Sequence, residues 1–364
     1  MTLIVFLVVI NILIFVHEFG HFIAARRLGI KVEKFSLGFG KKLFGFKYKD
    51  IDFYFCLIPF GGYVKLAGDT REEFKNQSWE YLSKNPKDRA KVIFAGPLFN
   101  YILAFLFLWL VFCVGYPRMS PVVGDLVKDM PAKKAGIMKG DLISEINGVK
   151  IKYWPDVLEN IRNAKSQPPF RITVERNKEL LTFEINPIIK TQKDYFGKEH
   201  KINLIGIIPQ GEIVYEKYNF FVAFEKSLFH LLEMTWVTLK SIFYLLIGYI
   251  SFKEAVVGPV GIYEMTNAAV HYGVNAILHM IAMLSLALAI FNVLPIPVLD
   301  GGHLMFLAIE SIRRRPLSAK TEQKIADIGF GFIIILAVFI FFNDLIKFGY
   351  LEKLNTVLKK VYNF

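Results

Sequence analysis

The chain has 364 residues, 54% of them hydrophobic, with 35 phenylalanines, a mean hydropathy of +0.40 and a formal net charge of +12. So high an apolar share exceeds that of a soluble globular domain. The basic excess reads as loops beside an anionic leaflet rather than a nucleic-acid surface, for which no motif is present, and two distant cysteines, Cys56 and Cys113, exclude a disulfide framework.

An apolar run opens the sequence and is expected to span a membrane over Thr2–Ala25, with residues 1–25 as the first region. It lacks Lys or Arg before it and a small-residue cleavage site after it, and it ends at Arg26-Arg27. That is expected of a retained helix running inward, not of a signal peptide. Between Leu3 and Val16 the only polar residue is Asn11, and then comes His17-Glu18-Phe19-Gly20-His21. On a helix, His17 and His21 lie one turn apart on one face, where both can bind one metal ion. Glu18, beside them, can take a proton from a metal-bound water. Ionisable groups at bilayer depth are costly and usually functional.

Residues 26–91 carry 15 Lys/Arg and are expected to be cytoplasmic. Inside them, 37–68 holds Gly38-Phe39-Gly40, an alternating run from Asp50 to Phe55, and Pro59-Phe60-Gly61-Gly62-Tyr63. These signals predict β-hairpins, membrane-associated or re-entrant toward the site. A second span is expected at Val92–Val114 (region 92–116), with Asn100 as interhelical glue.

Residues 117–188 are soluble in character. Val122-Val123, Leu142–Ile146, Phe170–Glu175 and Leu180–Ile185 read as strands, with turns at Asn147-Gly148 and Asn177 and a helix over Trp154–Ala164. Within region 189–275, Thr191–Tyr218 reads as a linker. Phe220–Ile250 is rich in Phe, Leu and Trp but carries Glu225, Lys226, His230, Glu233 and Lys240. Two spans between the basic loops 26–91 and 311–324 keep both loops cytoplasmic and three do not, so 220–250 is expected to lie on or partly in the outer leaflet.

The third span is expected at Ala276–Leu299, continuing as a region to 311, followed by a loop over 312–324, a fourth span at Ile325–Ile346 (region 325–348) and a tail, 349–364. The third helix also runs inward, so its end reaches the depth of the first motif. That end reads Asn292-Val-Leu-Pro295-Ile-Pro297-Val-Leu-Asp300-Gly301-Gly302-His303. The prolines must break or kink the helix, and the glycines permit close backbone approach. Asp300 is the natural third ligand, giving three protein ligands and an open position for zinc. Asp300 could instead cap the broken helix. His303, one turn further, is the rival ligand. Asn292 could simply satisfy backbone freed by the prolines.

With HEFGH in the first span and NVLPIPVLDGGH in the third, the chain resembles the site-2 proteases, intramembrane zinc metalloproteases, of the regulator-of-sigma-E protease (RseP-like) type. Segments IPFGGYVKLAGD (58–69), AGPLFN (95–100), GPVGI (258–262) and FFND (341–344) are similar to that family's flanking motifs, and 121–151 looks like a PDZ domain. The resemblance implies a polytopic α-helical membrane protein with four transmembrane helices, a membrane-associated β-hairpin region and one inserted extracytoplasmic PDZ domain (117–188), where such proteins often carry two. It implies Zn²⁺ on His17, His21 and Asp300, Glu18 as catalytic base, and Asn292 against the substrate or its oxyanion. It further implies a bacterial inner-membrane enzyme acting on transmembrane substrates such as anti-sigma factors or signal-peptide remnants, after trimming by another protease, in the lipid bilayer and without nucleic acid. An HtpX-like metalloprotease is disfavoured because its HExxH follows the membrane helices and its third ligand is usually Glu. A non-catalytic PDZ-bearing scaffold is disfavoured because Glu18 and the ligands are intact.

Overall fold

The computed structural model describes residues 1–162, 168–193 and 199–352. Helices α1 (Thr2–Arg27) and α2 (Pro86–Val114) flank strands β1 (Val32–Tyr48) and β2 (Ile51–Leu66). Next come β3 (Tyr116–Met119), β4 (Val123–Leu126), α3 (Pro131–Ala135), β5 (Leu142–Ile146), β6 (Val149–Lys150), α4 (Trp154–Arg162), β7 (Phe170–Arg176) and β8 (Glu179–Ile185). They are followed by β9 (Ile188–Lys193), β10 (Glu199–Leu204), β11 (Ile207–Pro209) and β12 (Ile213–Glu216). Then come α5 (Phe220–Leu246), α6 (Phe252–Ala255), α7 (Pro259–Tyr272), α8 (Val274–Val293), α9 (Asp300–Arg313) and α10 (Ala319–Lys347). The chain divides into two compact units. One comprises Met1–Val111, Ala223–Ile242 and the chain from Ser251 onward; the other comprises Phe112–Val222 and Phe243–Ile250.

In the first unit, α1, α2, α8 and α10 are the described helices long and apolar enough to cross a membrane. Helix α2 begins six residues before its expected apolar start. Asn85 accepts the Asp88 N–H at 2.8 Å as an N-cap and Pro86 opens the first turn, so Lys87, Arg89 and Lys91 are helical. The third span is shorter than expected. Helix α8 stops at Val293, and 294–299 form an irregular connection before α9, because Pro295 and Pro297 cannot continue the hydrogen-bond ladder. Val298 there has φ +81°, a strained value for a β-branched residue.

Two apolar clusters bind α1, α2 and α8 to one another and to α5 and α7. Val9 and Leu13 of α1 pack with Ala269 of α7 and Met280 and Ile281 of α8. Leu231 of α5 packs with Ala104 and Leu108 of α2 and Ala282, Leu286 and Ile290 of α8. Helix α5, expected to lie on or partly in the outer leaflet, is not among the described helices long and apolar enough to cross a membrane, and it packs on α2 and α8. Tyr101 meets Thr235 at 3.0 Å, while Phe105 and Trp109 both meet Phe224, so α5 runs antiparallel along α2 with one face against it. Its buried stripe, Ala223, Ser227 and Leu231, is small enough for that approach, and its charged residues are exposed. Helix α7 was not foreseen. Its N-terminal Gly258 and Gly261 N–H groups donate to the buried Asp344 carboxylate of α10, at 3.1 and 2.8 Å.

The expected β-hairpin is present. Its irregular register sets Phe35 opposite both Val64 and Phe53, so the first half of β1 is flanked on both sides by β2. Ile30, Val32, Phe35, Ile51 and Leu66 close on Ala25 and Val92, seating this sheet against α1 and α2.

The second unit is the β domain. Its four-stranded sheet has the order β6-β5-β7-β8, with Ile143, Ile146, Ile172 and Val174 packed against Trp154, Val157 and Ile161 of α4. The strands and both turns fall where the sequence indicates, with Asn147 and Asn177 in the left-handed region. Helix α4 is described to Arg162; 163–164 of its expected span lie outside the described residues. The expected linker 191–218 is corrected: β11 pairs with β4, β12 pairs with β3, and Ile205 is in the core. These strands are short and pair with partners some eighty or more positions away, which no local pattern reveals.

Two carboxylates, the buried Asp141 and the half-buried Glu216, tie this domain together. Burial would raise the Asp141 pKa, but the Arg176 fork, at 2.7 Å to each oxygen, and the Met138 N–H hold it below its ordinary value. Burial would likewise raise Glu216, yet hydrogen bonds from Lys152, Tyr218 and Tyr153 bring it down to about 2. Depressed carboxylates stabilise the fold above their unfolded pKa and lose that contribution as pH falls through the folded one. Protection of β5–β8 in the intact protein, read by pulsed hydrogen exchange corrected for intrinsic rates, should therefore decline from about pH 4.5 toward about pH 2. Glu216→Gln should be less stable at neutral pH and show a flatter decline; an unchanged profile would refute the assignment.

Candidate metal centre

His17 and His21 project from one face of α1, with their Nε2 atoms 3.3 Å apart. Asp300, the first residue of α9, brings Oδ2 to 3.1 Å from His17 Nε2 and 3.4 Å from His21 Nε2. Tetrahedral zinc with ligand bonds of about 2.0–2.1 Å requires ligand atoms about 3.3–3.4 Å apart. Asp300 Oδ2 is buried and makes no hydrogen bond, so a cation is what this oxygen lacks. Among the described residues, these three form the group able to hold a metal ion.

Close backbone approach makes the convergence possible. Helices α1 and α2 touch at Gly20 and Gly96. A Cβ on Gly20 would lie 2.3 Å from the Ala95 carbonyl oxygen, and one on Gly96 would lie 2.3 Å from His21 Nε2. A Cβ on Gly301 would lie 2.0 Å from the Leu294 oxygen, so only glycine lets α9 start this close to the proline connection. Gly329 of α10 seats Pro297 from the other side. Further along α9, Glu310 pairs with the buried Arg89 of α2. His21 Nδ1 lies 2.9 Å from the Val92 carbonyl, which can accept its proton and leave Nε2 free to ligate.

These groups line a cavity of about 390 Å³ that also contains Glu18, Asn292, His303 and the β2 residues Gly62, Tyr63 and Val64. Glu18 stands in the cavity outside the three-atom group, with its Cγ 3.1 Å from where a Gly62 Cβ would lie. The structure thus brings His17, Glu18, His21, Asn292, Asp300 and His303 to one cavity. It separates Asp300 from its rival, because His303 is exposed on the cavity wall and not in the cluster. Sequence reasoning missed Gly96, Arg89 and Glu310. Gly96 lies in the AGPLFN segment, but its role exists only across the α1–α2 contact.

The model of Peptidase family M50 matches residues 5–336. The chain belongs to this family, the site-2 proteases. It is similar along its length to bacterial proteins named as zinc metalloproteases. One from Campylobacter jejuni is 33% identical over 340 residues, covering 93% of this chain and 91% of that one. One from Rickettsia conorii is 34% identical over 355 residues (95% and 98%), and one from Helicobacter pylori 36% over 356 (94% and 99%). Among solved structures, an HtrA3 PDZ domain bound to a phage-derived ligand aligns at 21% identity over 20% of this chain and 81% of its own. Its TM-score of 0.18 carries no fold argument. The M50 site-2 protease is thus a multi-pass membrane zinc metalloprotease, and the His17, His21 and Asp300 donor set suits zinc.

Gly96→Ala should weaken zinc retention by about tenfold or more, since a Cβ would displace the His21 and His17 rings and disturbing a ligand's support costs affinity on that scale. Gly331→Ala, where a Cβ meets nothing within 4 Å, should leave it unchanged. Zinc titration against a chelator checks both, and equal retention by the two variants would show that the ligands tolerate the shift.

Proposed function

We propose that this zinc metalloprotease cleaves single-pass transmembrane substrates within the membrane. The observation that carries the reading is the meeting of His17, His21 and Asp300 with Glu18 in one cavity on a membrane-spanning helix. His17, His21 and Asp300 hold the metal. Zinc, when bound, supplies the Lewis acidity that polarises a peptide carbonyl and acidifies water. Glu18 takes the proton of the attacking water and returns it to the departing amine. Asn292, half-buried on the same wall, offers its amide N–H to the substrate carbonyl.

A helical substrate hides its carbonyls and must unwind before attack. The β2 segment around Gly62–Leu66 borders the cavity and holds the unwound stretch by strand addition. The outer part of this hairpin exposes Leu43, Phe44, Phe46 and Leu57, which supports a membrane-associated, re-entrant placement.

By this reading residues 26–91 and 312–324 are cytoplasmic. The β domain is an extracytoplasmic PDZ domain that filters substrates by size after another protease has trimmed them. Anti-sigma factors and signal-peptide remnants in a bacterial inner membrane are the substrates that fit. The intact Glu18 and ligand set weigh against a scaffold, and the motif's place inside α1 weighs against an HtpX-like enzyme.

Glu18→Gln should lower cleavage of a model transmembrane peptide by at least about 10²-fold while zinc content and protein level stay near wild type. Loss of zinc, or appreciable remaining cleavage, would remove Glu18 from the role of base. In cells carrying the chain with Cys56 and Cys113 replaced, Lys84→Cys and Arg314→Cys should resist an impermeant thiol reagent until the membrane is opened. Ready labelling of either would overturn the orientation.

A further inference from the structure

We propose that Asn100 is a positioning residue that fixes the tautomer of His17, so that its Nε2 carries a lone pair toward the metal. The proposal rests on the reading of His17 as a ligand. A neutral histidine that ligates through Nε2 must keep its remaining proton on Nδ1, and that proton needs an acceptor. The two ligands meet this demand from the same helix. Val92 supplies a backbone carbonyl to His21 Nδ1 at 2.9 Å. His17 Nδ1 has the side-chain amide of Asn100 at 3.4 Å, placed with Nδ2 facing the ring.

The orientation of that amide decides the tautomer. With Nδ2 toward the ring, the amide would donate to an unprotonated Nδ1 and force the proton onto Nε2, blocking ligation. Oδ1 would then stay buried with no hydrogen-bond partner. The amide's two ends have nearly the same shape, and their assignment follows from the hydrogen-bond network. Turned over, Oδ1 accepts the Nδ1–H and Nε2 keeps a lone pair, as a metal shared with Asp300 Oδ2, 3.1 Å away, requires.

The residue is placed for this task and for little else. Asn100 is fully buried, and its backbone carbonyl accepts the Ser285 hydroxyl of α8 at 2.8 Å. That bond joins α2 to α8 through the backbone and does not involve the amide. A buried amide in an apolar helix is costly unless paired, and the ring N–H supplies a partner.

The test is zinc affinity of the full-length purified protein, measured against graded chelators, in four variants. Asn100→Leu keeps the approximate shape but offers no acceptor, and should weaken zinc binding by about 10–100-fold. Asn100→Asp keeps an acceptor and should stay within about threefold of wild type on the same scale. Ser285→Ala loosens the same helix contact without touching the acceptor and should also bind normally. His17→Ala should lose zinc. If His17→Ala retains zinc, the ligand reading itself is wrong. If His17→Ala loses zinc while Asn100→Leu binds as wild type, only the role of Asn100 falls. Equal weakening in Asn100→Asp and Asn100→Leu would mean packing, not hydrogen-bond acceptance, and would also overturn it.

Discussion

Three polar atoms from two helices meet within 3.1–3.4 Å inside an apolar bundle, and much of the surrounding packing serves that meeting. A carboxylate and two imidazoles so placed are unfavourable alone. They become favourable when they share a cation, because the metal replaces the lost hydration of all three. The geometry must therefore be imposed by the rest of the chain, from both sides. On one side, α1 presses Gly20 on the α2 backbone while Gly96 leaves room for the rings. On the other, Gly301 and Gly302 set α9 on the carbonyls of the proline connection, and Glu310 on Arg89 holds it further along.

Helix α10 has a different relation to the bundle. Its buried residues are Gly329 and Asp344, some four turns apart. Gly329 fits against Pro297, and Asp344 receives the N–H groups that open α7. Because α7 packs on Val9 and Leu13 of α1, α10 touches both halves of the ligand set indirectly. The sequence segments GPVGI and FFND are far apart in the chain but form one contact, a buried carboxylate at a helix N-terminus, where the backbone dipoles favour negative charge.

The β domain follows soluble-protein physics. A single apolar core is closed by β4–β11 and β3–β12 pairing, and Asp141 and Glu216 are neutralised by Arg176 and Lys152. The ligand atoms and Glu18 all lie outside this domain.

What the sequence determined by itself was local. The one-turn spacing of His17 and His21, the four long apolar runs, the helix break at Pro295 and Pro297, and the Asn147-Gly148 turn follow from residue chemistry and a period of 3.6 or 2, which any short window carries. Asp300 was legible because two spans running the same way bring their ends to one depth, although helix capping remained open until its distance to both rings was known. Only tertiary structure decided the rest. Gly96 matters through rings on another helix, Asn100 through one histidine nitrogen, Arg89 through Glu310, and 207–216 through strands some eighty or more positions away. The descent of α5 along α2 belongs with these, because a stripe of Ala223, Ser227 and Leu231 suits a membrane surface or a bundle equally well until its neighbours are present. Such contacts are set by the distance between elements, a quantity that neither composition nor periodicity contains.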